Sequence, residues 1–135
     1  MRVHVEYENG YVTSIDLERA EGTHCQVSRQ IRAYLNGERR TLDFPVFMKG
    51  TAFQKAVWRA AMAIPYGQTR TYREIAHMIG NKNAYRAVGS ALGKNPLLIK
   101  VPCHRIIKSD GSIGGFSGNV HLKKRLLEIE CQHAC

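Results

Sequence analysis

The chain has 135 residues, enough for one compact domain or for a small lobe followed by a domain of about 85 residues. It has no run of about 18 apolar residues and no charged-then-apolar leader, which disfavours a membrane span and a secretory signal. Four scattered cysteines without a Cys-x-x-Cys argue against a disulfide framework. We therefore expect an intracellular location, in the cytoplasm or nucleoid, or in the nucleus of a eukaryote.

Residues 1–48 predict a small α/β lobe, here called the amino-terminal lobe. Strand-like sequences lie on both sides of Asn9-Gly10, a pair typical of tight hairpin turns. These strands are indicated by Val3, Val5 and Tyr7 before the pair and by residues 12–17 after it. A helix is then predicted up to Asn36-Gly37, from apolar residues at helical spacing: Val27, Ile31, Tyr34 and Leu35. Because one hairpin and one helix bury little core, we expect this lobe to pack on the second half of the chain.

The sequence divides near residues 45–50, and residues 49–135 predict a mainly helical domain. Thr51 and Gln54 have the spacing of a capping box, in which each side chain bonds the other residue's backbone N–H. Apolar residues follow at core-facing helical spacing: Phe53, Ala56, Val57, Ala60, Ala61 and Ile64. The fold class we predict is α+β, with the small hairpin-plus-helix lobe packed on a helical domain.

Two further short helices have the proportions of a helix-turn-helix. Thr71 and Glu74 form a second capping-box pattern, and a third helix runs from about residue 84 to residue 93. One face of that third helix is inward and apolar: Ala84, Val88 and Leu92. The opposite face has one cation and small residues: Arg86, Gly89, Ser90 and Gly93. Glycine weakens a helix by about 0.8–1.0 kcal/mol, so two on one face indicate a close approach, either by nucleic acid or by another helix.

The charge is unevenly distributed along the chain. Residues 1–48 contain six lysines and arginines against seven acids, whereas residues 49–135 contain fourteen against four. A basic block of this kind is typical of a polyanion binder, although a soluble protein with a high pI has the same composition. A membrane-surface role is less attractive, because no long helix pairs a basic face with a broad aromatic one.

Residues 101–105 read Val-Pro-Cys-His-Arg and are the most informative stretch of the chain. A thiol is a strong nucleophile only as the thiolate, so a neighbouring base or cation is needed to activate Cys103. His104, Arg105 and Lys100 are candidates for that role. A buried structural cysteine is the alternative that this motif alone leaves open.

Taken together, these motifs resemble the methylated-DNA–protein-cysteine methyltransferases (O6-alkylguanine-DNA alkyltransferases) in a short form. The resemblance covers about 80 residues between Gly50 and Glu130. The matching pieces, in order, are Gly50-Thr-x-Phe-Gln-Lys-x-Val-Trp58, Ile64-Pro-Tyr-Gly67, Thr71-Tyr72, Arg86-Ala-Val-Gly89, Asn95-Pro96, Val101-Pro-Cys-His-Arg105, Gly114-Gly-Phe-Ser-Gly118 and Leu126-Leu127.

The resemblance implies DNA repair by irreversible, single-turnover transfer of an alkyl group from O6 of guanine in duplex DNA to the protein. It matches Cys103 to the alkyl acceptor, His104 to its base, acting through a water, and Glu130 to the carboxylate that orients the histidine. Asn95 matches the hinge asparagine near this site. Tyr72 matches the tyrosine that presses on a phosphate and hydrogen-bonds the guanine ring.

The resemblance also implies which residues meet DNA and the flipped base. Arg86 matches the arginine that enters the base stack as the damaged nucleotide leaves. The other residues implied in DNA binding are Tyr72, Thr71, Ala87, Gly89, Ser90 and Lys94. The base pocket is implied to include Val101, Ser117 and Phe116. The amino-terminal lobe is implied to be a reduced RNase H-like fold, packed on a winged helix-turn-helix-like domain.

No cofactor or metal is expected for this step, and we expect a monomer whose partner is double-stranded DNA containing O6-alkylguanine, with no membrane. Two features depart from the family's pattern: the amino-terminal lobe is shorter than usual, and Phe116 stands where many members have tyrosine. The sequence has two groups of possible zinc ligands: His24 with Cys25, and Cys131 with His133 and Cys135. Neither group has the spacing usual for a zinc site.

Two other function classes fit part of the sequence. One is a DNA-binding protein without transfer chemistry, either a sensor of alkyl lesions or a regulator, since some relatives lack the cysteine. The presence of Cys103 argues against it. The other is a cysteine hydrolase, which does not explain the basic helix-turn-helix.

Overall fold

The computed structural model describes residues 2–18, 26–111 and 120–133. The amino-terminal lobe contains a β-hairpin followed by one helix. The second half contains three helices, two very short strands and a last long helix. The predicted α+β class is confirmed.

The amino-terminal hairpin consists of β1 (Arg2–Glu8) and β2 (Tyr11–Glu18), which pair antiparallel. Its turn residues Asn9 and Gly10 have φ angles of 52° and 82°. A two-residue turn with both φ angles positive matches the twist of the strands it joins, which explains why this pair predicted the hairpin.

Helix α1 (Gln26–Leu35) completes the amino-terminal lobe. It buries the predicted apolar positions Val27, Ile31 and Tyr34. Gly37 ends it with φ of 76°, and a Cβ there would lie 2.5 Å from the His133 ring. Both the backbone conformation and the close approach of the last helix therefore favour glycine at this position.

The second half is helical, as predicted. Helix α2 (Ala52–Met62) and helix α3 (Tyr72–Met78) begin with the two capping boxes, at Thr51 and Thr71, and both boxes are formed in full. Helix α4 (Tyr85–Gly93) follows α3 after a short turn and completes the helix-turn-helix. The indole N–H of Trp58 donates to the carbonyl of Ala91 (2.9 Å), which fixes α4 against α2.

Two short strands join the helix-turn-helix to the Cys-His motif. Strand β3 (Arg70–Thr71) precedes α3 and pairs in parallel with β4 (Ile106–Ile107). Between α4 and β4 the chain makes a 3-10 helix, Cys103–Arg105. The last helix is α5 (Val120–His133), which buries Leu122, Leu126 and Ile129.

An apolar cluster joins the amino-terminal lobe to the helical part. It contains Val12, Ile15 and Ile31 from the lobe and Val57 and Leu97 from the second half. The backbone of β2 also forms hydrogen bonds with two segments outside the hairpin. The Val12 N–H donates to the carbonyl of Pro45 (2.9 Å), and the Ile15 N–H donates to the carbonyl of Pro96 (2.7 Å). The lobe therefore packs directly on the turn that leads to Cys103.

Candidate active site

Cys103 lies at the start of the 3-10 helix and is only 4% exposed. The side-chain amide of the buried Asn95 donates to its Sγ (3.3 Å) and to the carbonyl of Val101 (3.1 Å). The Asn95 Oδ1 accepts from the N–H of Leu97 (2.9 Å). One side chain therefore holds both the thiol and the turn beside it.

Burial raises the pKa of the Cys103 thiol, because a buried thiolate loses its hydration. The hydrogen bond from Asn95 and the positive charge of Lys123 act in the opposite direction and offset part of that effect. The thiol is therefore protonated at rest, and its use as a nucleophile needs a base close by.

His104 is fully buried and is hydrogen-bonded through Nε2 to Oε2 of Glu130. Burial lowers the pKa of His104, although the carboxylate opposes this effect. A neutral ring that donates from Nε2 has its lone pair on Nδ1. That Nδ1 is buried and has no hydrogen-bond partner among the described residues, so it is free to accept a proton.

Glu130 is 1% exposed and lies inside the core. Four donors compensate for this burial, two on each oxygen. Oε1 accepts from the Gly67 N–H (3.0 Å) and from Nε of Arg105 (2.7 Å), and Oε2 accepts from the Tyr34 hydroxyl and His104. Burial alone would raise the pKa of Glu130, but the hydrogen bonds, led by that from His104, lower it to about 2. The carboxylate is therefore ionised at neutral pH.

Arg105 and Tyr34 were not predicted to surround Glu130. The Arg105 guanidinium also donates to the carbonyl of Ile64 (2.7 Å) and to the hydroxyl of Tyr34 (3.1 Å). Sequence reasoning offered Arg105 and Lys100 as cations for the thiol, but the hydrogen bonds of Arg105 go to these groups, and Lys100 donates to the carbonyl of Leu42 (2.6 Å).

Lys123 is a buried cation whose positive charge lowers the pKa of the Cys103 thiol, and sequence reasoning missed it. It is 1% exposed, and its Nζ donates to the carbonyl of Ile106 (2.6 Å). Burial lowers its pKa to about 8, and attraction to the Cys103 thiolate opposes that shift. The signal was present in the sequence, since Lys123, Leu126 and Glu130 are spaced i, i+3 and i+7 and share one helix face.

The outer face of α4 is exposed at Arg86, Ala87 and Ser90, and Lys94 just after it is also exposed. Gly89 faces Tyr72 across the turn, since a Cβ there would lie 3.8 Å from the Tyr72 ring. The predicted DNA-binding residues of α4 are therefore together on one accessible surface. Thr71 lies at the start of α3, where its hydroxyl accepts from the Glu74 N–H (3.0 Å).

A pocket of about 450 Å³ opens beside this surface. Its walls include the rings of Tyr72 and Tyr85 and the cationic residues Arg73 and Lys108. The Arg73 guanidinium lies 4.8 Å from the centroid of the Tyr85 ring. Aromatic faces next to cations suit bases and phosphates.

The predicted base pocket is only partly described. Val101 is buried, and its carbonyl accepts from the Asn95 amide and from the Cys103 N–H (2.7 Å). Phe116 and Ser117 lie outside the described residues, as do the cysteines Cys25 and Cys135. Within the described ranges no cluster of three metal-ligating side chains occurs, and no helix is long and apolar enough to cross a bilayer.

Comparison with known proteins decides the family. The family model for the DNA-binding domain of 6-O-methylguanine DNA methyltransferase matches residues 52–132. The chain belongs to this family. That range includes the helix-turn-helix, Cys103, His104 and Glu130.

Two relatives of this methyltransferase family illustrate the likeness. A methylated-DNA–protein-cysteine methyltransferase of Methanosarcina barkeri is 48% identical over 105 residues, covering 78% of this chain and 66% of the relative. An inducible enzyme of the same name from Bacillus subtilis is 50% identical over 101 residues, covering 75% of this chain and 56% of the relative. The matched part thus spans two thirds or less of the length of these relatives.

Solved structures extend the likeness to the whole fold. The Mycobacterium tuberculosis OGT in complex with DNA superposes with a TM-score of 0.87 at 35% identity, covering 98% of this chain and 93% of that one. The Schizosaccharomyces pombe Atl1 in complex with damaged DNA containing O6-carboxymethylguanine has a TM-score of 0.55 at 36% identity, covering 62% and 79%. The first likeness includes the amino-terminal lobe as well as the helical part.

Proposed function

We propose that this protein repairs DNA by transferring the alkyl group, in particular methyl, from O6 of guanine in duplex DNA to Sγ of Cys103, irreversibly and once per molecule. The observation that carries the proposal is the buried series Cys103, His104 and Glu130 beside a basic helix-turn-helix. A neutral histidine whose Nδ1 has no hydrogen-bond partner in the described ranges directly follows a protonated thiol in the chain, as base-assisted nucleophilic attack requires.

In the proposed reaction, Nδ1 of His104 takes the proton of the Cys103 thiol through a water. Glu130 stabilises the imidazolium that forms, and Lys123 stabilises the thiolate. The thiolate displaces the guanine oxygen from the alkyl carbon, so a C–S bond forms as the C–O bond breaks. The proton returned by His104 leaves the guanine neutral. Because a thioether is not readily hydrolysed, the cysteine is not regenerated.

Access to the lesion requires that the nucleotide leaves the duplex, at a cost of a few kcal/mol. We propose that Arg86 fills the gap in the stack and offsets part of that cost. The small residues Ala87, Gly89 and Ser90 let α4 approach the groove closely. Tyr72 would then contact the phosphate and the guanine ring, with Thr71 and Lys94 as further DNA contacts and Val101, Phe116 and Ser117 lining the base pocket.

The proposal includes the organisation and setting of the chain. Residues 1–48 form the amino-terminal lobe and residues 49–135 the DNA-binding and alkyl-acceptor domain. We expect a monomer that acts inside the cell, where DNA is present and the thiol stays reduced.

The test is the intact mass of the protein after incubation with a duplex containing one O6-methylguanine. We expect a gain of about 14 Da, mapped to Cys103, that undamaged DNA does not produce. A Cys103→Ala protein should bind the duplex but gain no mass. Tight binding by the wild type without a mass change would instead place the protein among lesion sensors.

A further inference from the structure

Tyr34 belongs to α1 of the amino-terminal lobe, yet its hydroxyl reaches the proposed catalytic carboxylate. It is 1% exposed and donates to Oε2 of Glu130, the same oxygen that bonds Nε2 of His104. The phenol oxygen in turn accepts from Nη2 of Arg105 (3.1 Å). A residue 96 positions before Glu130 thus completes its hydrogen-bond shell.

We propose that Tyr34 is a positioning residue for alkyl transfer: its hydroxyl fixes Glu130 and, through it, the ring of His104. This inference rests on the proposed function and adds to it that the amino-terminal lobe supplies part of the active site. Tyr34 does not touch the reacting sulfur; it acts through the carboxylate.

The reason lies in the geometry of a carboxylate. With two donors on each oxygen, the plane of the Glu130 carboxylate is fixed, and so is the direction in which it holds His104. Without the Tyr34 hydroxyl, His104 would be the remaining described donor to Oε2. More negative charge would then act on the ring, which would hold a proton more tightly and turn more freely.

Tyr34 can serve only as a donor to this carboxylate. Burial, together with the negative charge of Glu130, raises its pKa far above the usual value for a tyrosine, so the hydroxyl keeps its proton. The other charged groups that act on His104 are Arg105 beside it and Lys123 from α5. Both cations keep their charge in a Tyr34→Phe protein, and Arg105, which loses one acceptor, keeps its bonds to Glu130 and to the carbonyl of Ile64.

The chain offers a matched control in Tyr66. Its ring packs edge-on against that of Tyr34, with centroids 5.8 Å apart, and Arg40 and Arg105 lie over it. Its hydroxyl is buried and has no hydrogen-bond partner among the described residues. Tyr34→Phe and Tyr66→Phe therefore each remove one hydroxyl from the same cluster, but only the first removes a donor to Glu130.

The experiment measures Cys103 reactivity against pH for the wild type and both variants. One assay follows single-turnover methyl transfer from an O6-methylguanine duplex, and the other follows alkylation of Cys103 by iodoacetamide, mapped by peptide mass. We expect Tyr34→Phe to slow transfer roughly 10-fold. In both assays, the pH below which the rate falls should rise by about half a unit or more, because a more basic His104 is protonated at higher pH. Tyr66→Phe should stay within about twofold of wild type, with the same pH profile.

Two outcomes would overturn the inference. One is a Tyr34→Phe profile identical to that of Tyr66→Phe. The other is a slower reaction with no shift along the pH axis, which would mean that Tyr34 supports only the fold. Because acid also destabilises the fold, circular dichroism at each pH defines the range in which the wild type and both variants are folded, and the profiles are compared only within that range. If the wild type gained no methyl group from DNA, the proposed function would fail, while the iodoacetamide profiles would still test Tyr34.

Discussion

The side-chain amide of Asn95 donates to the sulfur of Cys103 at 3.3 Å, so the nucleophile and its turn are held by one residue. That residue also bonds the carbonyl of Val101 and the N–H of Leu97. The stability of the turn and the reactivity of the thiol are therefore linked.

Asn95→Ala should lower both properties. The N–H of Leu97 would be left buried without its acceptor, at a cost of about 1–3 kcal/mol in the free energy of unfolding. The pKa of Cys103 should rise, because Asn95 stabilises the thiolate. Urea unfolding and iodoacetamide rates measure the two effects. The exposed Asn83→Ala is the control, and an Asn95→Ala protein as stable as that control would contradict the prediction.

Lys123→Met should reduce the reactivity of Cys103 by about 3–10-fold at neutral pH, because it removes the positive charge that favours the thiolate. The neighbouring Lys124 is exposed and provides a matched control as Lys124→Met. The rate of Cys103 alkylation against pH is the measurement. Equal rates for the two variants would show that Lys123 acts on the core and not on the sulfur.

The stability of the protein should fall as the pH is lowered through the acid range. The folded pKa of Glu130, about 2, is below its ordinary value of 4.5, so its contribution is full above pH 4.5 and is lost as the pH falls toward 2. His104 contributes to the pH dependence in the same direction. It is neutral in the folded protein, so below its ordinary pKa of 6.5 the unfolded chain binds a proton more readily and stability falls.

Glu130→Gln isolates the first of these contributions. At pH 7 it should cost about 3–5 kcal/mol in the free energy of unfolding, because Arg105 is left buried without its counter-ion. Its remaining stability should depend less on pH between 4.5 and 2 than that of the wild type. Urea unfolding at several pH values gives the comparison, and Glu128→Gln, exposed on the same helix, should behave as wild type.

Arg86→Ala should separate recognition of duplex DNA from chemistry. Its side chain is exposed on α4 and has no part in activating the thiol. Because we propose that it fills the gap in the base stack, transfer from duplex O6-methylguanine should fall by about 10-fold or more without it. Transfer from a free O6-alkylguanine base should stay the same, because no nucleotide has to leave a stack. Single-turnover rates with both substrates test this, and equal losses would argue against insertion of Arg86 into the duplex.

Local patterns predicted most of the fold. The Asn9-Gly10 pair, the capping boxes at Thr51 and Thr71 and the apolar spacing of the helices each depend on residues a few positions apart, and each feature is present in the structure. The β3–β4 pairing was not predicted, because two residues per strand leave no periodic signal.

The cysteine and histidine at the centre of the candidate site were predicted from the sequence, but several residues that surround them were not. Cys103 and His104 are neighbours in the sequence, so their pairing could be read directly. Tyr34, Arg105 and Lys123 act through contacts between distant segments of the chain. In a sequence, a lysine or arginine that becomes buried cannot be told from an exposed one, and a tyrosine that bonds a carboxylate cannot be told from an ordinary core tyrosine. Their role depends on desolvation, which exists only in the folded protein.

The bond between Tyr34 and Glu130 joins the two halves of the chain at the candidate active site. Residues 49–135 alone would keep Cys103, His104 and Glu130 but would lose the Tyr34 hydroxyl and the apolar side chains of the amino-terminal lobe. A fragment that retains the Cys-His motif would therefore lack part of the hydrogen bonding that orients its carboxylate.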